Sequence, residues 1–413
     1  MKVFYGWRMA GAAGMLQFIQ SALLMQSFGA YVAVLSEQRG WSKTALSGAA
    51  ALQSVESAIL GPALGWLLDR FGPRAMVQIG MVVFGCGFLL LSQIDSLGGF
   101  YASAVMMAVG VSLGGYFPLT VALLQWFERY RARALSMMSL GLALGGIMVP
   151  VVAWTMHTYG WRATAFGSGI IVMALGLPLA RVIRWRPQDH GETVDGLPTP
   201  ATQVVGAVSG EHASTRSDFT VHEALRTRAF WLLALGHAFA LLVVTSVNVH
   251  AITHMKEGLG YSVTQAAFFI MILTFGQVGG VVLSATIGDR FEKRSLAAFC
   301  MLGHMMGLLL LAYATHPLQV AAFAVLHGVA WGLRGPLMQS IRADYFGRNA
   351  IGMILGLSSV VIALGQIAGP MVAGVLADLT GNYRLGFTVL ALTAGCGSLL
   401  FVFAVRPQHP VVP

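Results

Sequence analysis

Long uninterrupted runs of apolar residues recur along the chain, and each is long enough to cross a lipid bilayer as a helix. A helical span needs about 20 apolar residues at a rise of about 1.5 Å per residue. A barrel strand would instead alternate polar and apolar residues over about ten positions. We therefore predict an all-α membrane protein with twelve transmembrane helices, at residues 9–32, 43–67, 74–93, 99–125, 134–156, 162–183, 229–252, 262–286, 295–315, 317–341, 351–376 and 385–405.

Composition and motifs exclude several other classes of protein. Hydrophobic residues make up 56% of the 413 positions and charged residues only 10%, against about a quarter charged in soluble domains. The three cysteines lie in apolar runs without metal-ligand spacing, so we predict free thiols and no metal site. The chain has no P-loop, no zinc-protease motif and no dinucleotide-binding motif. We therefore expect no enzyme and no cofactor.

The distribution of basic residues predicts the orientation. The net charge of +9 is explained better by basic loops beside an anionic membrane than by nucleic-acid binding. If both termini are cytoplasmic, 19 of the 25 Lys and Arg residues lie on the cytoplasmic side, Arg342 among them, and five lie outside. Arg334 alone remains inside a span. The positive-inside rule therefore places both termini in the cytoplasm.

An internal repeat divides the chain into two halves. Residues 37, 40–42 and 44 recur at 257, 260–262 and 264, and Asp69-Arg70-Phe71 recurs as Asp289-Arg290-Phe291, all at an offset of 220. We predict two parallel six-helix halves, 1–183 and 229–413, joined by a cytoplasmic central loop at 184–228. Parallel halves of this kind place the substrate site between them near the middle of the membrane.

The segment 65–74 (GWLLDRFGPR), between spans two and three, resembles the signature loop of the major facilitator superfamily, and 288–294 (GDRFEKR) is a weaker copy. The resemblance implies the major facilitator fold and a gate at these loops, in which a carboxylate contacts the other half in one state and releases it in another. A second interpretation is that these basic loops only mark topology. The gating residues implied are Asp69, Arg70, Arg74, Asp289 and Arg290.

A narrower resemblance is to the monocarboxylate porter and oxalate/formate antiporter branch of that superfamily. It rests on residues 5–8 (YGWR), 40–42 (GWS), 126–134 (WFERYRARA) and 249–250 (VH). The branch implies a monocarboxylate substrate such as lactate or pyruvate. The chain departs from it in span eight, where residues 274–277 (TFGQ) carry no charge although many monocarboxylate porters have an arginine there.

Arg334 in span ten is the main candidate for substrate binding. A charge at membrane depth costs about 3 kcal/mol on insertion scales, and a guanidinium matches a carboxylate in geometry. Pro336 matches Pro118 at an offset of 218, which places Tyr116 at the position of the first half that matches Arg334. His327 and Trp331 share the helix face of Arg334. The alternative is that Arg334 bonds carbonyls or an acidic residue for packing. The predicted substrate-binding residues are Arg334, Tyr116, Asn248, Trp331, Gln277, Gln366 and Gln26.

Four further residues are candidates for proton coupling. Glu56 lies in the middle of span two, where it can exchange a proton, pair with Arg334 or a histidine, or pack by hydrogen bonds. His327, His250 and His237 lie at membrane depth, and histidine titrates near neutral pH. Each can instead be a hydrogen-bonded packing residue, which is the interpretation favoured for His304.

Together these features predict a secondary transporter that moves a small organic anion by proton symport and alternating access. The expected partners are the anion, the proton and the lipid bilayer, with no nucleic acid. The expected state is a monomer that crosses the cell (inner) membrane many times. The alternatives are an anion/anion exchanger, an exporter of amphipathic compounds, and a transporter-like receptor. The short, weakly apolar central loop argues against the receptor.

Overall fold

The computed structural model describes residues 4–41, 43–197 and 218–408, and all side chains in these ranges except those at positions 33, 36, 43–59, 263, 264 and 267. The described chain is helical apart from short connections. The helices are α1 (Tyr5–Gln20), α2 (Phe28–Arg39), α3 (Lys43–Gln93), α4 (Leu97–Gly114), α5 (Tyr116–Trp126), α6 (Arg131–Leu144), α7 (Val149–Val182), α8 (Val221–Arg226), α9 (Arg228–Glu257), α10 (Val263–Ile287), α11 (Lys293–Ala312), α12 (Pro317–Phe346), α13 (Ile351–Thr380) and α14 (Arg384–Phe403).

Two glycines divide long helices into antiparallel pairs. Gly72 inside α3 has φ 78° and Gly160 inside α7 has φ 84°, a left-handed conformation that a side chain would strain. A π-helical turn, Ser21–Met25, lies between α1 and α2. Dividing at the two glycines and joining the short segments gives twelve membrane-length rods. Nine helical stretches of the described part are long and apolar enough to cross a membrane.

Each half of the chain has its own core. One cluster of buried apolar side chains is built almost wholly from residues before Ile183, and the other from residues after Asp218. Within the halves, glycines let helix backbones meet. A Cβ on Gly141 of α6 would lie 1.9 Å from the Gly14 carbonyl oxygen of α1, and a Cβ on Gly332 of α12 would lie 1.9 Å from the Gln277 carbonyl oxygen of α10. Small residues at helix contacts are typical of membrane bundles.

The two ends of the central loop are fixed to the two halves in the same way. The Asp195 carboxylate accepts hydrogen bonds from the backbone N–H groups of Glu128 and Arg129, at 3.2 and 2.8 Å. The Asp218 carboxylate accepts from Arg348 and Asn349, at 2.8 and 2.9 Å. Glu128 and Arg348 are related by the repeat offset of 220. The loop therefore contacts each half just before an equivalent helix.

Candidate functional site

A cavity of about 590 Å³ lies between the two halves. It is lined by α1, α3, α4, α5 and α6 of the first half and by α9, α10, α12 and α13 of the second. Besides nitrogens of two arginines, three buried uncharged polar atoms on its wall have no hydrogen-bond partner among the described residues: Thr120 Oγ1, Gln339 Oε1 and Ser358 Oγ. A polar molecule in this cavity therefore finds acceptors and hydroxyl groups on both sides.

Arg334 is enclosed in the wall of this cavity. Its side chain is 1% exposed, and its Nε and Nη1 have no hydrogen-bond partner among the described residues. Tyr116 and Cys300 are close enough to interact with it electrostatically. A buried guanidinium with unpaired N–H groups is costly unless an anion or a carbonyl completes its bonds. Arg334 is therefore placed to bind an anion from the cavity.

A second buried arginine, Arg342, lies two helical turns further along α12 and also lines the cavity. Its Nη1 donates to the Met338 carbonyl oxygen at 3.0 Å, and its Nη2 lies 3.3 Å from Nδ1 of His237. Sequence analysis counted Arg342 on the cytoplasmic side and ended span ten at residue 341. The structure corrects the end of the span, because α12 continues to Phe346 and encloses Arg342. The spacing of eight residues from Arg334, about two helical turns, was the available signal.

Five of the predicted substrate-binding residues line the cavity. They are Arg334, Tyr116, Trp331, Gln277 and Gln366. Tyr116 comes from α5 of the first half and is close enough to Arg334 and Arg342 to interact electrostatically with both. The repeat therefore identified a tyrosine that faces the arginine across the interface. Gln17 and Gln20 of α1 line the cavity as well, and sequence analysis did not select them.

The other predicted residues lie elsewhere in this conformation. Asn248 and Gln26 are exposed and are not part of the cavity wall. Nε2 of His250 lies 2.9 Å from the Pro370 carbonyl oxygen, so this histidine joins α9 to α13. His237 does line the cavity. The side chain of Glu56 lies outside the described residues.

His327 forms a buried pair with His304 instead of facing the cavity. Their Nδ1 atoms are 3.1 Å apart, and both side chains are fully buried. Only one of the two Nδ1 atoms carries the hydrogen in such a contact. The pair joins α11 to α12 behind Arg334. His327 shares a sequence spacing with Arg334 and Trp331, but its ring points toward the neighbouring helix.

The halves are joined by hydrogen bonds at one end of the bundle, here called the Asp289 end. The Asp289 carboxylate accepts from the backbone N–H groups of Ala132 and Arg133, at 2.8 and 3.0 Å, at the start of α6. Arg131 and Asp344 form an ion pair across the halves. An acidic group at a helix N-terminus is favoured by the helix dipole and the free N–H groups. Asp289 therefore fastens the second half to the first.

The loop of the first half makes a related contact. Asp69 lies against the start of α13. Its Oδ1 would lie 3.1 Å from a Cβ added to Gly352. Arg70 packs over Trp66 and Phe71 at 5.3 and 5.6 Å. Arg74 and Arg290 are both exposed. Asp69 and Asp289 thus lie at inter-half contacts, and the three arginines do not bridge the halves.

At the opposite end, an ion cluster stays within the first half. Asp95 binds Arg39 of α2 at 2.8 Å and Arg162 of α7 at 2.7 Å. The two arginines lower the pKa of the exposed Asp95 carboxyl. Helix α2 packs on α3 and α7 of its own half. In the described part of the chain, the ion pairs between the halves lie at the Asp289 end, and none joins the halves here.

Two pseudo-repeated helical halves around a polar central cavity define a membrane transporter fold. The family model described as Major Facilitator Superfamily matches residues 12–317 and 233–413. The chain belongs to this superfamily, whose members are transporters and not enzymes, and it is a multi-pass membrane protein. The prediction of the fold class is confirmed to that extent.

Three known proteins illustrate the similarity. Monocarboxylate transporter 13 of Bos taurus is 28% identical over 98% of this chain and 92% of its own length. The crystal structure of the fucose:proton symporter FucP of E. coli has a TM-score of 0.72 at 14% identity, covering 98% of this chain and all of that one. The human organic anion transporter MFSD10 has a TM-score of 0.69 at 14% identity, covering 96% and 99%. The two structural matches show the fold alone.

Proposed function

We propose that this protein is a secondary active transporter of a small organic anion of the monocarboxylate class, such as lactate or pyruvate, driven by proton symport. The observation that carries the proposal is Arg334, a buried cation on the wall of a cavity between the halves, with two nitrogens that lack a hydrogen-bond partner among the described residues. The similarity over nearly the full length to a protein named as a monocarboxylate transporter supports the substrate class.

The chemistry of the cavity suits a carboxylate. Arg334 offers a guanidinium whose geometry matches two carboxylate oxygens. Tyr116 brings a hydroxyl group from the other half, so a bound anion contacts both halves at once. The described wall contains two arginines and no acidic side chain. The electrostatic potential in the cavity therefore favours a negatively charged substrate.

The proposed transport cycle breaks the contacts between the halves at one end and forms others at the opposite end. The basic loops favour a cytoplasmic location for the Asp289 end and for both termini. The cavity then receives the anion from outside while the contacts of Asp289 and Asp69 keep the cytoplasmic end closed. Rocking of the halves breaks these contacts and forms others at the opposite end, as alternating access requires. The protein acts in this way as a monomer in the cell (inner) membrane, with no partner beyond substrate, proton and lipid.

The proposal is tested by uptake of labelled lactate into proteoliposomes under an inward proton gradient. The wild type is expected to accumulate lactate in proportion to the gradient. Arg334→Gln is expected to lose this uptake, and Arg334→Lys to retain part of it, because a lysine keeps the charge but not the planar fork. Arg181→Gln, which changes an exposed arginine at the end of α7, serves as the matched control. Wild-type rates in Arg334→Gln would remove Arg334 from the site.

A second candidate is obligatory anion exchange. The described cavity wall carries two positive charges and no carboxylate, so the empty protein has to move two buried cations across the membrane field to reset. A bound anion reduces that charge, which favours return with a counter-substrate. Vesicles preloaded with unlabelled anion distinguish the two modes. Exchange requires internal anion and no gradient, whereas symport requires the gradient and no internal anion.

A further inference from the structure

We propose that Arg342 and His237 are the proton-coupling unit: Arg342 keeps His237 neutral while the cavity is empty, and an anion bound at Arg342 allows His237 to take up the co-transported proton. This inference rests on the proposed anion transport and names the residues that couple it to the proton.

The geometry fixes the protonation state of the histidine. Arg342 Nη2 lies 3.3 Å from His237 Nδ1, and a guanidinium can only donate hydrogen bonds. Nδ1 must therefore be the acceptor, with its lone pair directed at Arg342 and the ring hydrogen on Nε2. His237 cannot hold a proton on Nδ1 while this contact exists. The contact is thus a marker of the neutral, empty form.

The surroundings make that form the stable one. In the described part of the chain, the charged groups that face His237 are Arg342 and Arg334, both on α12. The other helices that pack against α9, which are α8, α10, α11, α13 and α14, bring no charged group to His237 in that same part of the chain. A proton on His237 would add a third positive charge to a poorly hydrated wall, which is unfavourable by Coulomb's law.

A bound carboxylate reverses this situation. Arg342 has a buried Nε without a partner among the described residues, and it faces the cavity. When the anion accepts hydrogen bonds from Arg342, it offsets one positive charge and draws the guanidinium away from Nδ1. A proton from water on the open side then adds to Nδ1, and the new N–H donates to the same anion. Release of the anion on the other side restores the contact and expels the proton.

The charge balance agrees with this sequence of steps. The empty cavity carries the two arginine charges, and the loaded cavity carries the same net charge, since the anion and the proton cancel. Both reorientation steps therefore move an equal charge through the membrane. By linkage, an anion that favours protonation of His237 is itself bound more tightly when His237 is protonated.

The remaining histidines at membrane depth are less suited to this role. His327 and His304 bond each other, are fully buried and are not among the residues that line the cavity. His250 is bonded to a backbone carbonyl oxygen on α13. Of the described histidines, His237 is the one that lines the cavity.

The test uses full-length protein in proteoliposomes with labelled lactate outside and a pH-sensitive dye inside. His237→Asn keeps a hydrogen-bond acceptor near the Nδ1 position but cannot take a proton. We expect this variant to retain lactate counterflow without a gradient. Its gradient-driven accumulation and its lactate-dependent proton entry should both fall by on the order of tenfold or more, within the usual range of coupling. His254→Gln, at a buried histidine of the same helix bonded to the Leu311 carbonyl oxygen, is the control and should keep both activities.

The outcomes test the role of His237 separately from anion transport itself. Absence of counterflow in the wild type would refute anion transport itself. Counterflow in the wild type with an unchanged ratio of protons to lactate in His237→Asn would overturn the role of His237. Loss of counterflow in that variant would also overturn it, because it would make His237 a binding residue. In a second variant, Arg342→Gln, His237 should bind a proton without lactate. Lactate counterflow by this variant should therefore lose the pH dependence that the wild type shows.

Discussion

The Arg334 guanidinium is enclosed, and two of its nitrogens lack a hydrogen-bond partner among the described residues. Such a group makes the empty protein less stable than an apolar side chain would at that place. An unsatisfied buried polar group costs about 1–3 kcal/mol. Arg334→Met is therefore expected to raise the melting temperature of the empty protein in detergent and to abolish the further increase that lactate gives the wild type. Arg181→Met is the control. A lower melting temperature in Arg334→Met would show instead that Arg334 has a structural partner, such as Glu56.

At the residue scale, the sequence predicted features that can be read from the order of residues, and it missed those that depend on contacts between helices. The charge of Arg334 within an apolar run and the repeat that pairs Pro336 with Pro118 were sufficient to bring Arg334 and Tyr116 to one cavity. The direction of a side chain on its helix was not readable. His327 shares a spacing with Arg334, yet its partner is His304 on α11. Long-range contacts of this kind leave no signal in a single sequence.

Two glycines of α12 differ in whether they contact α10, so they make a matched pair of sites for substitution. A Cβ on Gly332 would lie 1.9 Å from the Gln277 carbonyl oxygen, whereas a Cβ on Gly335 would meet nothing within 4 Å. Gly332→Ala is therefore expected to destabilise the protein by about 1–3 kcal/mol through overpacking. Gly335→Ala should leave the melting temperature unchanged or raise it slightly. Thermal unfolding in detergent measures both, and equal effects would contradict the close contact.

The carboxylates at the two ends of the bundle respond differently to acid. Burial raises the pKa of the Asp289 carboxyl, and the N–H groups of Ala132 and Arg133 offset this only in part. The pKa of Asp95 is lowered, chiefly by its hydrogen bond from Arg39. As the pH falls, Asp289 is protonated first, while the ion pairs of Asp95 persist until the pH falls through the lower pKa of that group. The stability that Asp95 contributes is lost only there.

Mild acid should therefore favour the closed Asp289 end, because protonation stabilises the conformation in which a group has the higher pKa. A protonated carboxyl accepts the two N–H bonds of α6 less well than a carboxylate, but it removes the larger cost of burying the charge. We expect a cysteine at position 136 of α6, in a protein without its native cysteines, to react more slowly with maleimide probes at mildly acidic pH after correction for thiolate content. Asp289→Asn, which is neutral at every pH, should react slowly throughout. A rate that stays constant or rises in the wild type would contradict this role of Asp289.

At the element scale, most helices followed from the apolar runs, and the breaks between them followed from glycine. The predicted end of span two at 67 and start of span three at 74 bracket Gly72, where the backbone turns. The end of α12 was placed too early because the polar residues after 341 suggested a loop. Arg342 is bonded within its own half, to Met338, Leu233 and His237, and Asp344 pairs with Arg131 of the other half. Sequence periodicity does not report such contacts.

The orientation of the whole molecule is predicted by its basic residues alone, and it decides which end receives substrate. If the Asp289 end is cytoplasmic, a cysteine at Ser96, which lies beside the Asp95 cluster, faces the outside, and a cysteine at Glu292 faces the inside. A membrane-impermeant maleimide should label position 96 but not position 292 in intact cells, and both after the membrane is opened. The reverse pattern would invert the proposed direction of access.

Alternating access requires that the contacts between the halves at the Asp289 end break in every cycle. Gln125 and Arg348 exchange hydrogen bonds there, from Gln125 Nε2 to the Arg348 carbonyl oxygen at 2.8 Å and from Arg348 Nη1 to the Gln125 carbonyl oxygen at 3.3 Å. Cysteines at both positions, joined by a short bifunctional thiol reagent, should stop lactate transport while the cavity still binds lactate. Each single cysteine, treated alike, should remain active. Transport that continues through the cross-link would mean that this end does not open, and the rocking mechanism would have to be abandoned.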